Sequence, residues 1–307
     1  MSSKTRDTSH FPSKSKLGSG FFVPLSPAVR VEFGAATHVG HVRERNEDHF
    51  AIFRRTRLQE ALLSSIPDGL PSSGDETFGF VIADGMGGAA GGELASRVAI
   101  ETAWDLTEQA SSWVMRLRDL AGSQVQQRVE ALVTKMHFTL RELGDADPDL
   151  KGLGTTWTCV YVVGWHALVA SVGDSRAYHW RAGTLRQMTR DQTLAQVLID
   201  SGVPPEDTTR VRHILTNSLG SRRNFVVPDV GHTLLRDKDR LLLCTDGLSD
   251  HVSDVELSKI LGQTASPQAS CDALVQLALD RGGKDNVTVI VADFTEADST
   301  EPPEPAT

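Results

Sequence analysis

Residues 80–88 read FVIADGMGG: four apolar residues run into Asp84, and glycines follow at once. The apolar run reads as a buried strand that carries an aspartate out at its end. A glycine-rich loop after a strand usually suggests phosphate cradled on backbone N–H groups. An aspartate at the mouth of such a cradle repels phosphate unless a cation stands between them. The loop is not a nucleotide cradle of the familiar kinds. GMGGAAGG (85–92) lacks the Gly-Lys-Ser/Thr of a P-loop, and a dinucleotide fingerprint does not normally begin with Asp at the strand end.

Working outward, the segment FGFVIAD (78–84) has several counterparts. They are TWTCVYVV (156–163), ALVASVGD (167–174), RAYHW (176–180), RLLLCTD (240–246) and NVTVIVADF (286–294). All are β-branched or aromatic-rich and bounded by turn residues, so they are predicted strands. Gly164-Trp165 and Arg181–Thr184 are short enough to close hairpins. Helical spacing joins Ala95, Val98, Ala99, Thr102 and Leu106, and also Val125, Val129, Leu132, Val133, Met136, Leu140 and Leu143. Ser253 with Glu256 forms a capping box, and Ser266-Pro267 opens a last helix that turns Cys271, Leu274, Val275 and Ala278 inward. Strands, two long helices, hairpin strands and then mixed elements favour antiparallel sheets with helices packed on them over a doubly wound parallel sheet.

The chain has 307 residues, 39% of them hydrophobic and 23% charged, which suits a soluble globular protein. One domain is expected over 29–295. Residues 1–28, rich in Ser, Lys, Gly and Pro, read as disordered, and 296–307 as an acidic, proline-rich tail. The net charge of −9 argues against nucleic acid as the partner. No apolar run approaches the roughly 20 residues of a membrane helix, and the opening residues lack the apolar stretch of a secretory signal. A cytoplasmic protein, without membrane attachment, is expected. Cys159, Cys244 and Cys271 form no C-x-x-C pair. Cysteine phosphatases place Arg six positions after the cysteine; here those positions hold Trp165, Asp250 and Leu277, so all three read as buried apolar residues.

Four more aspartates share the character of Asp84. Asp174 follows ALVASVG, Asp246 follows LLLCT, Asp285 precedes NVTV, and Asp48 lies in RERNEDHF. Any one of them reads as an ordinary turn residue. Five at strand ends suggest a shared site, where mutual repulsion would raise their pKa values or demand cations. Hard cations such as Mg²⁺ and Mn²⁺ take carboxylate and carbonyl oxygens, and Gly85 would permit a tight turn and lend its carbonyl. The pair Asp237/Asp239 precedes its strand rather than following it, and RDKDR (236–240) reads as a solvated turn.

The motifs VGHVRERNED, FVIADGMGG, GLGTT, SVGDSRAY, LLLCTDGLSD and GGKDNVTV occur in this order over residues 31–295. Together they resemble the metal-dependent serine/threonine protein phosphatases, the PPM or type 2C family, in its bacterial form. The resemblance implies an α+β fold, a four-layer α-β-β-α sandwich of two antiparallel sheets flanked by helices. It implies Mn²⁺ or Mg²⁺, two ions in the core site and a third, weaker one. Asp84, Asp246 and Asp285 resemble the core metal ligands, with Asp84 bridging, Asp48 and the Gly85 carbonyl completing the second site, and Asp174 sharing the third ion with Asp246. Arg43 resembles the arginine that grips substrate phosphate through its planar fork. With Arg43, the catalytic set is then Asp48, Asp84, Asp246 and Asp285, acting through water activated between two cations, with no phosphoenzyme. The implied substrates are phosphoserine and phosphothreonine proteins of a serine/threonine kinase, and the implied state is a monomer. Two alternatives stand beside this: a non-catalytic signalling module of the same fold, which usually loses its metal aspartates, and a phosphatase for small phosphate esters.

The chain departs from animal members at Met86, where they carry His. Methionine cannot donate a proton, so the acid for the leaving oxygen is open, with a metal-bound water as the expected donor. His38, His41 and His49 near the first motif read as surface or core residues. Thr155, Thr156 and Asn286 belong to motifs and read as structural support. Residues 54–77 read as an inserted surface connection, and 190–229 as a variable flap in which TLAQVLIDSGV is a helix and VPPEDTTRVRH a mobile loop.

Overall fold

A computed structural model of the chain describes residues 29–59, 73–87, 91–114 and 122–297. The expectations for residues 1–28 and for the tail beyond 297 lie outside the described residues, as does Gly88. In chain order the elements are β1 (Val29–His38), β2 (Asp48–Gln59), β3 (Ser73–Met86), α1 (Gly91–Val114), α2 (Gly122–Ala146) and β4 (Gly154–Thr155). Then come β5 (Trp157–Val163), β6 (His166–Val172), β7 (Arg176–Arg181), β8 (Thr184–Gln187), α3 (Leu194–Asp200) and β9 (Asp229–Leu234). The last are β10 (Asp239–Cys244), α4 (Asp246–Ser249), α5 (Asp254–Gln263), α6 (Pro267–Asp280) and β11 (Val287–Glu296).

The strands form two sheets, β1-β11-β10-β7-β8 and β2-β3-β5-β6-β9, with β4 beside β3. Every pairing is antiparallel. Strand alternation builds three cores from one set of residues. Phe80 and Ile82 of β3, Val160 and Val162 of β5, Leu241 and Leu243 of β10, and Ile290 and Phe294 of β11 fill the space between the sheets. Their neighbours face outward. Val81, Cys159 and Tyr161 meet Ala95, Ala99, Val129, Val133 and Met136 of α1 and α2. Leu242, Cys244, Val289 and Val291 meet Leu257, Leu261, Cys271 and Leu274 of α5 and α6. The central strands are therefore covered on both faces, which is why they read as unbroken apolar runs although the sheets are antiparallel. Truncating Phe294, fully buried at the middle, would cost about 3–5 kcal/mol. The four-layer arrangement and the α+β class match the sequence expectation.

The helix ends follow local chemistry. The Ser253–Glu256 capping box forms, and Ser266 accepts from the Ala269 N–H at 3.2 Å. All three cysteines are free and buried. No described helix is long and apolar enough to cross a membrane.

Three local readings are corrected. The connection expected over 54–77 is shorter, because β2 and β3 stay paired from Asp48↔Asp84 out to Gln59↔Ser73. Residues 205–211, expected to be a mobile loop, form a 3₁₀ helix (Pro205–Val211). Pro205 sets its first φ, and the Thr208 hydroxyl bonds back to the Pro205 carbonyl at 2.8 Å. Asp239 is not in a solvated turn but buried, for reasons returned to below.

Candidate active site and metal centre

At one end of the sandwich, strand ends and loops from distant parts of the chain meet. Asp84 lies two residues before the end of β3, Asp174 lies between β6 and β7, Asp246 opens α4 directly after β10, and Asp285 precedes β11. They line one cleft of about 600 Å³ together with Arg43, Glu47, Gly85, Met86, Thr156, His213 and Asn286. A second hollow, about 460 Å³ between α1 and its sheet, is walled by Phe53, Trp104, Trp157 and Tyr161. No Lys, Arg or His is among its described lining residues.

The backbone around Asp84 is tied on both sides. Its N–H donates to the Thr156 hydroxyl at 3.0 Å, and its carbonyl accepts from the Thr156 N–H at 2.9 Å and the Thr155 hydroxyl at 2.8 Å. The two threonines thus act as the supports the sequence suggested. Gly85 differs from expectation in its reason. It remains in the strand, and the left-handed φ of +132° belongs to Gly87. A Cβ on Gly85 would overlap the Gly92 carbonyl, so glycine is required for the close approach of α1. Gly247 is required in the same way, since a Cβ there would overlap the Asn286 carbonyl oxygen.

Asn286 organises the loop that bears Arg43. Its amide nitrogen donates to the Val39 and Arg45 carbonyls, both at 2.9 Å, and its oxygen accepts from the Glu47 N–H at 2.8 Å. The Arg43 guanidinium then donates to Asp285 Oδ2 at 2.8 Å, while remaining half exposed to the cleft.

Asp48 is the one predicted ligand that is set back. It stands opposite Asp84 in the ladder but does not line the cleft. Its Oδ2 accepts from the Thr245 and Thr288 hydroxyls at 2.9 and 2.7 Å. The preceding residue, Glu47, faces the cleft instead, and sequence reasoning missed it. Adjacent residues at a strand's start point to opposite sides, and the string Glu-Asp alone does not say which of the two faces in.

Electrostatics sets this end apart. Burial raises the pKa of Asp84 well above the usual carboxylate range, and the charges of Asp48, Asp246 and Asp174 raise it further. Burial, then Asp246, does the same to Asp174. Asp246 is pushed up to about 6 by burial and by Asp285, and Asp48 to about 7 by burial. Asp246 Oδ1 is buried without a hydrogen-bond partner. Clustered, partly unsatisfied carboxylates are what a hard divalent cation offsets, so the donor set fits Mg²⁺ or Mn²⁺. Among the described residues no three acidic, histidine or cysteine side chains close on one point as a finished cage.

Comparison with known proteins agrees with this fold. The sequence profile of the family Protein phosphatase 2C matches residues 71–279. The serine/threonine protein phosphatase PstP of Mycobacterium tuberculosis is 36% identical over 271 residues, 87% of this chain. The chain spans only 46% of that relative's length. The serine/threonine phosphatase stp of Listeria welshimeri is 28% identical over 84% of this chain and 93% of its own. A crystal structure of the catalytic domain of PstP in complex with two manganese ions superposes with a TM-score of 0.66 at 32% identity, covering 87% of this chain and all of that one. The chain belongs to the protein phosphatase 2C family.

Proposed function

We propose that the protein hydrolyses phosphoserine and phosphothreonine in proteins, with two divalent cations, Mn²⁺ or Mg²⁺, in the cleft and a weaker third beside Asp174. The observation that carries this is the convergence of Asp84, Asp174, Asp246 and Asp285 in one cleft that also exposes Arg43. The manganese-bound relative supports the choice of ion.

Asp84, Asp246 and Asp285 would hold the core ions, with the Gly85 carbonyl beside them. Glu47, facing the cleft, is better placed than Asp48 for the second ion. Asp48, expected as a ligand, would act from behind, holding Thr245 and Thr288 in place. Bound cations supply charge neutralisation at the phosphoryl oxygens and make water more acidic. Arg43 grips two phosphate oxygens, and Asp285 fixes its approach. No cysteine approaches the chemistry: burial pushes all three thiols up to about 12, where they are inert. The retained aspartates weigh against a non-catalytic module.

Cytoplasmic location, a monomeric state and substrates supplied by a serine/threonine kinase belong to the same proposal. The test is hydrolysis of a phosphothreonine peptide with Mn²⁺, with Mg²⁺ and with EDTA, beside Asp246→Asn. Turnover that needs metal and collapses in the variant is expected. A folded, metal-loaded wild type that turns over nothing would overturn the proposal.

A further inference from the structure

Met86 faces the cleft and has no proton to give, so the alcohol released from phosphoserine or phosphothreonine needs a donor from elsewhere. Most groups lining the cleft are ruled out by what they already do. The guanidiniums of Arg43 and Arg45 do not release protons. The Thr156 hydroxyl is engaged with the Asp84 N–H and, at 2.8 Å, with Ser175. The Asn286 amide is spent on the 39–47 loop. The carboxylates are needed ionised if they hold cations. One imidazole lines the cleft among the described residues, that of His213.

His213 comes from the flap, and its backbone is pinned to the loops bearing the aspartates. Thr193 bridges to Leu215, the Leu194 N–H donates to the Ile214 carbonyl at 2.8 Å, and the Thr216 N–H to the Gln192 carbonyl at 2.8 Å. Gln192 reaches on to Gly173, the neighbour of Asp174: its N–H donates to the Gly173 carbonyl, and its side-chain oxygen accepts from the Gly173 N–H, both at 2.9 Å. On the other side, Arg212 pairs with Asp250 at 3.4 Å, four residues beyond Asp246. The flap thus holds position 213 between the Asp174 loop and the turn that starts at Asp246. The His213 side chain is exposed to the cleft, and no hydrogen bond or ion pair with described residues occupies its ring.

We infer that His213 is the proton donor to the leaving seryl or threonyl oxygen, an inference that rests on the proposed phosphatase reaction. In the step, the oxygen of water bonds to phosphorus as the bond from phosphorus to the side-chain oxygen breaks. The electron pair of that bond stays on the departing oxygen, which takes a proton from the imidazolium. The attacking water loses one proton, and the imidazole regains one from solvent. The products are the free hydroxyl side chain and inorganic phosphate.

An alkoxide leaves poorly without a proton, whereas a nitrophenolate leaves unaided. The test therefore pairs a phosphothreonine peptide with p-nitrophenyl phosphate, both with Mn²⁺, for wild type, His213→Gln and His213→Ala. The expected result is a kcat on the peptide lower by on the order of 10²-fold in both variants, with kcat on the aryl ester near wild type. Because the side chain is exposed, both variants should fold, and matched thermal unfolding checks this. Equal losses on both substrates, or no loss on either, would overturn the role of His213 while leaving the phosphatase reading intact. A wild type inert towards both substrates would instead overturn the phosphatase reading itself, and this inference with it.

Discussion

Asp239 and Asp246 stand at opposite ends of the same strand, β10 and its continuation; Asp239 is buried, and Asp246 is half-buried at the cleft. Their surroundings are opposed. Asp239 lies 2.8 Å from the His179 ring nitrogen, accepts two bonds from Arg181 at 2.7 and 2.6 Å, and accepts the Arg236 N–H at 2.7 Å. Burial alone would raise its pKa, but Arg181 and His179 outweigh it and hold the carboxyl below its ordinary value. Asp246 has one oxygen with no partner and other carboxylates for neighbours, and its pKa rises to about 6. A buried acid with its counter-charge built in is part of the scaffold. A half-buried acid surrounded by its own kind calls for charge from outside.

That contrast can be broken or sharpened by experiment. The largest effect is expected from Asp246→Asn, which should lower kcat on a phosphopeptide by on the order of 10³-fold. The same variant in EDTA should be more stable than wild type. The sign follows from the raised pKa: between about pH 4 and 6 the unfolded carboxyl ionises while the folded one stays protonated, so wild-type stability falls as pH rises. Above pH 6 the variant's advantage should level off at roughly 3 kcal/mol, read by urea titration. An Asn variant less stable than wild type in EDTA would end the comparison.

Gly247→Val forces a side chain against the Asn286 carbonyl and should cost about 3 kcal/mol of unfolding free energy, measured in the same way. Asp239→Asn should cost about 2 kcal/mol and leave kcat of the folded fraction unchanged, since it lies roughly 20 Å along the strand from the cleft. Its pH signature is the reverse of the one at Asp246. The stabilisation by Asp239 is complete above the ordinary carboxylate pKa and is lost as pH falls through the lower folded value, so the variant should lack that acid limb. Arg212→Ala removes a half-exposed ion pair to Asp250 and should change stability by less than about 1 kcal/mol.

The sequence made the interior of this fold readable and its borders obscure. β3, β5, β6, β10 and β11 sit centrally, covered on both faces, so apolar patterning marks them. The edge strands β1, β8 and β9 escaped notice, and β2 was only half seen. Edges carry charge and irregularity: β2 holds Arg54 and Arg55, and β1 exposes Phe33 and needs Gly34 where α6 backbone presses close. At the site, strand-end aspartates could be seen as a set because each abuts an apolar run. Glu47 and His213 have no such marker, and their place in the cleft comes from loop geometry. Asp239 read as part of a solvated turn, because its partners Arg181 and His179 lie 58 and 60 positions away and leave no local mark.

The clamp made by Asn286 sets a timetable. Arg43 is translated early, but the loop that presents it is fastened by a side chain that emerges some 240 residues later. Asp285 arrives with it, and β11 must then slot between β1 and β10, neither of which is complete as an inner face until it does. A nascent chain cut short of residue 285 would own most of its apolar interior yet present no assembled cleft. Assembly of the cleft is thus deferred until nearly the whole described chain has been made.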